Sequence, residues 1–188
     1  MSRFERAYCC STVWRSSSSA IARELCAQGL GRDVLEIGAG SGSVAQQLLS
    51  ISPELAWTAI DIDPHMTHAA AARLRGFAGA SVQTADATAM PFPDDSFDSV
   101  VSCLMLHHII DWERAVAEVA RVLRPGGIFV GYDLTRTPLA SLFHRFDGSP
   151  HRLIVPDDFR VECARQGLTT SLRCRLLGHV MRFVARKN

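Results

Sequence analysis

Several things are scarce in this chain of 188 residues, and each shortage removes a class of protein. Lysine is nearly absent: Lys187 is the only one, and the other nineteen cations are arginine. Net charge is almost absent too, at +1, which taken alone argues against a strong polyanion binder. No run reaches the ~18 consecutive apolar residues of a membrane span. Met1 to Cys10 carries charges with no apolar stretch behind it, so no secretory leader is expected. The six cysteines (Cys9, Cys10, Cys26, Cys103, Cys163 and Cys174) form no Cys-x-x-Cys pair, and reduced thiols in a cytoplasm are expected. There is no internal repeat. The one biased tract, Ser16 to Ser19, reads as a helix N-cap region.

What is present is the balance of a globular domain, 47% hydrophobic and 21% charged. Length predicts one domain, able to bury roughly 70% of its unfolded surface. The small net charge conceals three blocks. Residues 1–32 carry five Arg and two Glu, net +3. Residues 33–135 carry five Arg and thirteen acids, net −8. Residues 136–188 carry nine Arg, one Lys and four acids, net +6. An acidic middle thus lies between basic ends.

Apolar patterning alternates strand and helix. Strands are expected at Asp33 to Ile37, Trp57 to Ile60, Ala80 to Thr84, Phe97 to Leu104 and Ile128 to Tyr132. The fourth is nearly all apolar, as a strand buried on both faces should be. Helices are expected at Gly42 to Ser50, at His65 to Arg75 behind Pro64, and at Trp112 to Leu123. In the last, Ala115, Val116, Val119, Ala120 and Leu123 recur at helical spacing before Pro125-Gly126-Gly127 stops it. Such β-α alternation implies a mostly parallel, doubly wound sheet with helices on both faces. A helix at Asp157 to Gln166 follows. Then Leu168 to Leu177 and His179 to Ala185 read as an antiparallel pair at the sheet edge, turning on Gly178 alone.

The strongest motif is Glu36-Ile37-Gly38-Ala39-Gly40-Ser41-Gly42, which follows a strand and opens a helix. Glycines there let backbone groups approach a ligand, and the helix N-terminus adds partial positive charge. Alone, such a loop is also a plain β-α turn. Two acids strengthen it. Asp61 closes the second strand, nineteen residues after Gly42, where a carboxylate can accept both hydroxyls of a ribose. Asp86 follows the third strand, where a carboxylate can accept from an adenine amino group. Successive strand C-termini line one crevice, where open α/β sheets bind ligands. The dinucleotide fingerprint needs Gly at position 43 and finds Ser43, which disfavours a nicotinamide dehydrogenase.

This spacing resembles the S-adenosylmethionine (SAM) loop of class I methyltransferases. Four further segments match that family in order: Ala59-Ile60-Asp61-Ile62-Asp63-Pro64, Asp86-Ala87-Thr88-Ala89-Met90-Pro91-Phe92, Phe97-Asp98-Ser99-Val100-Val101-Ser102 and Arg121-Val122-Leu123-Arg124-Pro125-Gly126-Gly127. Leu106-His107-His108-Ile109 is similar to the small-molecule branch that includes ubiquinone and menaquinone methyltransferases. The likeness covers about residues 30–135 and implies a Rossmann-like, seven-stranded sheet. It implies SAM as cofactor, with the backbone of Gly38, Ala39, Gly40 and Gly42 cradling the methionine part. Glu36 would steady the loop and favour the amine. Asp61 would hold the ribose, Ile62 would pack on adenine, and Asp86 with the Ala87 backbone would read the adenine edge. Cys103 would touch the cofactor through its backbone. SAM is a cation without phosphate, so an acidic core suits it.

Methyl transfer from a sulfonium needs alignment above all, which can supply roughly 7–11 kcal/mol. A dedicated base matters only for a phenol or carbon acid. The catalytic candidates are His107, Tyr132 and Asp133, with His108 and His144 behind them. No Asn/Asp-Pro-Pro-Tyr or Pro-Cys motif is present, which argues against amino-group and cytosine C5 methylation. Cys9-Cys10 is read as incidental rather than as a soft-acceptor site, and no metal site is expected.

The chain therefore reads as one methyltransferase domain, 1–188. Residues 1–32 form an N-terminal helical cap, in which Tyr8 and Trp14 could cover the cofactor, and residues 33–135 form the SAM core. Residues 136–155 form a substrate lid with Leu139, Leu142, Phe143 and Phe146 at helical spacing beside His144 and Arg145, and residues 156–188 close the chain. The acceptor is expected to be a small molecule and not nucleic acid; the basic segments read first as a solvated Arg-rich face, with an anionic or lipid-like acceptor as the sharper alternative. The alternatives are an RNA or protein methyltransferase, and a SAM-binding regulatory protein without catalysis.

Overall fold

The computed structural model describes residues 12–138, 141 and 150–188, the side chains of residues 12–17 excepted. The elements are α1 (Thr12–Cys26), β1 (Asp33–Ile37), α2 (Ser43–Ile51), β2 (Ala56–Asp61), α3 (Pro64–Leu74) and β3 (Ala80–Thr84). They continue with β4 (Phe97–Cys103), a 3₁₀ turn (Leu106–His108), α4 (Trp112–Val122), β5 (Leu123–Leu134), α5 (Pro156–Arg165), β6 (Leu168–Arg175) and β7 (Val180–Lys187). One sheet takes the order β3-β2-β1-β4-β5-β7-β6. Strands β1 to β5 are parallel, and β7 runs antiparallel between β5 and β6.

Successive residues of the central strands go to opposite faces, and both faces are dry. Val34, Trp57, Ala59 and Val101 join α1 and α2 in one apolar cluster. Leu35, Ile37, Val100 and Phe129 join α4 and α5 in the other. Helix α3 begins where expected, because Pro64 needs no N–H bond at the first position and the Asp63 carboxylate accepts from His65 N at 2.9 Å. In the second cluster Phe159 of α5 lies between Phe183 (ring centroids 4.7 Å apart) and Phe129 (6.2 Å), and it is fully buried.

Four expectations need correction. Ser16–Ser19 lie inside α1 rather than capping it, because the helix already begins at Thr12. Leu123, placed on the helix face by its spacing, instead opens β5, since the backbone turns extended there (φ −71°, ψ 136°). Strand β5 is therefore longer than Ile128 to Tyr132. Leu123 pairs with Phe97 while Ile128 pairs with Ser99, so the Pro-Gly-Gly stretch bulges out within the strand. The final turn is four residues, Leu176 to His179, not one. Leu176, Leu177 and Gly178 all take positive φ, and β7 is an inner strand with only β6 at the edge.

Among the described residues no helix is long and apolar enough to cross a membrane. Cys26, Cys103, Cys163 and Cys174 are free thiols; Cys9 and Cys10 lie outside the described residues. Replacing Phe159 by Ala should lower unfolding free energy by about 3–5 kcal/mol, read from denaturant midpoints. A loss under about 1 kcal/mol would mean that this aromatic cluster does not bear on the fold.

Candidate functional site

The glycine loop leaves β1 at the centre of the sheet and turns into α2. Gly38 has φ +64°, and a Cβ there would stand 2.5 Å from Met105 Cγ, so the loop packs directly on the chain leaving β4. Gly42 has φ +75°, and its Cβ would meet Ala70 Cβ at 3.1 Å, which lets α2 start hard against α3. Any other residue would be strained at both positions. No side chain caps the first turn of α2.

Asp61 clamps this loop. One carboxylate oxygen accepts from Gly40 N at 2.8 Å and the other from Asp63 N at 2.9 Å. Burial raises the Asp61 carboxyl above its usual range, and those two N–H groups act against the rise. Ala39 N also bonds to Ile60 O, so loop and β2 are joined by backbone as well. Just beyond, Ile62 is 67% exposed, an unusual place for so apolar a side chain. Asp86 is exposed two residues past β3, whose Thr84 pairs with Asp61. Its Oδ1 accepts from Thr88 N and Thr88 Oγ1, both at 2.8 Å. Ala87 beside it is buried.

Glu36 is only 2% exposed and accepts a hydrogen bond from Trp57 Nε1 at 3.1 Å. Burial pushes its carboxyl up to about 8; the Trp57 bond lowers it and the Asp61 charge raises it further. Trp57 is a site residue that the motif reading missed. It precedes Ala59, the register partner of Glu36, by two positions, so the period of β2 places it on the Glu36 face. Cys103 sits on the same face at the end of β4. Its thiol is held well above the usual range by burial first, then by the charges of Glu36 and Asp133, with a Tyr132 hydrogen bond opposing.

The three catalytic candidates separate. Tyr132 goes with Cys103, whereas His107 and Asp133 meet on the opposite face, both buried. Asp133 is fully buried and accepts three hydrogen bonds: His107 Nδ1 at 2.5 Å, Leu134 N at 2.6 Å and Leu106 N at 2.7 Å. The pair therefore braces the turn after β4. His107 O in turn accepts from Arg152 N at 2.7 Å, and the Arg152 guanidinium grips both oxygens of Glu113 at 2.7 Å. Thr135 and Ile154 form an isolated bridge, so both ends of the 136–153 segment are pinned beside this turn. Arg152 and Glu113 carried no motif and were not anticipated. Tyr8, Leu139, Leu142, Phe143, His144, Arg145 and Phe146, and the side chain of Trp14, lie outside the described residues. Among the described residues no group of three or more His, Cys, Asp or Glu is placed to hold a metal ion.

An open sheet of this order, with a glycine loop at the first β-α turn, is the fold of class I SAM-dependent methyltransferases. The comparisons agree. A family model described as a methyltransferase domain matches residues 35–131, just over half of the chain, and the chain belongs to that family. Over 119 residues it is 33% identical to a ubiquinone/menaquinone biosynthesis C-methyltransferase of Geobacter sulfurreducens, covering 61% of this chain and 46% of the relative. Over 103 residues it is 35% identical to a fatty-acid O-methyltransferase of Mycolicibacterium smegmatis, covering 55% and 37%. The chain thus spans about half or less of these curated relatives. The crystal structure of the YcgJ protein of Bacillus subtilis superposes with a TM-score of 0.76 at 20% identity, covering 92% of this chain and 99% of that one, which shows the shared fold. The methyl donor of the family is SAM. The residues present fit it: two strand-end carboxylates beside an exposed apolar Ile62, and a buried acid under the loop that a cationic amine would complement.

Two outcomes follow. Replacing Asp133 by Ala strands three donors, so stability should fall by at least about 2 kcal/mol in chemical denaturation; a neutral change would detach Asp133 from the turn. Glu36, with its carboxyl raised, keeps in the folded state a proton that the unfolded chain releases near pH 4.5. Its contribution is therefore fully present below that pH and is lost as the pH rises toward 8, on the order of 1.4 kcal/mol per pH unit. Glu36→Gln should flatten that slope relative to the wild type between pH 6 and 8, and parallel stability curves would rule the effect out.

Proposed function

We propose that this domain moves a methyl group from SAM to a small-molecule acceptor by in-line displacement. The observation that carries the reading is the Asp61 clamp, which fixes a strand-end carboxylate against the glycine loop. The bound sulfonium supplies an already activated methyl, so the chain's task is alignment and exclusion of water. The backbone of Gly38, Ala39, Gly40 and Gly42 holds the methionine part, with Glu36 beneath to favour the amine. The remaining acceptor positions of Asp61 take the ribose hydroxyls. Ile62 packs on adenine, while Asp86 and the Ala87 backbone read its edge and Cys103 contributes backbone contact.

No side chain is assigned as a base. His107 and Asp133 are consumed in bracing the turn after β4, and Tyr132 is engaged with Cys103. The relatives' names, a ubiquinone/menaquinone biosynthesis C-methyltransferase and a fatty-acid O-methyltransferase, support an anionic or lipid-like acceptor under the 136–155 lid. The division into cap 1–32, core 33–135, lid 136–155 and closing segment 156–188 belongs to this reading, as does a cytoplasmic setting, which the free thiols support.

Calorimetry should show binding of SAM and S-adenosylhomocysteine and none of NAD; NAD binding without SAM binding would overturn the proposal. Asp61→Ala should weaken SAM by at least ~1.5 kcal/mol, about tenfold, through loss of charge-assisted bonds. Because an ionised Glu36 suits a cationic amine, SAM affinity should rise from pH 6 to 8 with proton release, and Glu36→Gln should abolish that dependence.

A further inference from the structure

A second cleft lies away from the glycine loop, between α1 and the outer face of β5, β7 and β6. Its volume is about 350 Å³, and its walls include Glu24 of α1, Gln28 just after that helix, and Tyr132, Arg173, Arg175 and Arg182 of the sheet. Strand register explains why the arginines gather. Tyr132 pairs with Arg182, and Arg182 with Arg173, in one cross-strand row on one face. The next row on that face runs Leu134, Val180, Arg175. Arg182 forms an ion pair with Glu24. Among the described residues neither Arg173 nor Arg175 forms an ion pair with a carboxylate. Directly opposed like charges on neighbouring strands disfavour each other, and Arg173 faces Arg182 in that way.

We propose that this cleft is an anion site for a small phosphate monoester, separate from the methyl-donor crevice. Charge selects the ligand. Three guanidiniums less Glu24 leave a local charge of +2, which a phosphate monoester of about −1.5 to −2 neutralises. Guanidinium forks suit its oxygens, and the Gln28 amide and the Ser171 hydroxyl, also in the lining, add neutral donors. The volume is at the small end of ligand pockets, fitting a compact metabolite under a helix rather than a polymer lying on a surface. Occupation would relieve the Arg173–Arg182 repulsion and compete with Glu24 for Arg182. The ligand would thereby act on the contact that ties α1 to β7.

The test uses the full chain and glycerol 3-phosphate as probe, by calorimetry and thermal unfolding. Saturable binding and a raised melting temperature are expected. Arg173→Gln with Arg175→Gln should weaken the probe at least about tenfold while SAM affinity stays unchanged. Both arginines are exposed, so the double variant should melt no lower than wild type without ligand. Glu24→Gln, which removes the competitor for Arg182, should tighten the probe. Any of these results would overturn the proposal: no saturation by about 10 mM, far weaker than metabolite sites; equal binding by wild type and double variant; or arginine-dependent capture of a single-stranded RNA oligomer with no response to the monoester. A long-chain phospholipid micelle that binds where the free monoester does not would overturn it as well.

Discussion

One carboxylate holds the working end of this domain together. Asp61 ends β2, yet its oxygens are spent on the N–H groups of Gly40 and Asp63, one in the glycine loop and one at the entry to α3. A charge-assisted bond to each side sets the loop against the neighbouring strand. The same arrangement leaves acceptor capacity facing the crevice, because each carboxylate oxygen can take a second donor. On the proposed reading, loop geometry and ribose recognition draw on one side chain.

Beneath that clamp the sheet carries buried acidity. Glu36 under the loop and Asp133 near the end of β5 lie on opposite faces, and their environments give them different uses. Asp133 receives three donors and thereby holds the turn after β4. Glu36 receives one donor in a dry setting, so burial dominates and its proton is retained to about pH 8. A buried acid with so little compensation is a natural receiver for a cation. The acidic middle of the sequence therefore holds structural carboxylates and, on the proposed reading, binding ones, while part of the basic C-terminal block collects on one face of β6 and β7. Near-neutral total charge averages over these separate regions of one sheet.

Much of the architecture is legible because each strand is short, apolar and punctuated. Gly38, Pro64 and Gly167 stand at element boundaries that the pattern also marks. The misreadings share a cause, since each concerns a place where tertiary contacts override local spacing. Leu123 continues the helical period but is captured by pairing with Phe97. A turn predicted on Gly178 alone widens because Val180 must meet Arg175 and Leu134 at once. The serine tract suits a cap, yet α1 runs through it.

By itself the sequence determined the β-α order, the glycine loop, the two strand-end acids and so the class of cofactor, because these depend on local spacing along consecutive units. Only the tertiary structure decided which side chains share a face. It paired Glu36 with Trp57, took His107 and Asp133 away from Tyr132, and set Arg182 between Tyr132 and Arg173. The physical reason is strand register. A shift of one residue sends a side chain to the other side of the sheet, and register is set by long-range pairing that local pattern does not encode.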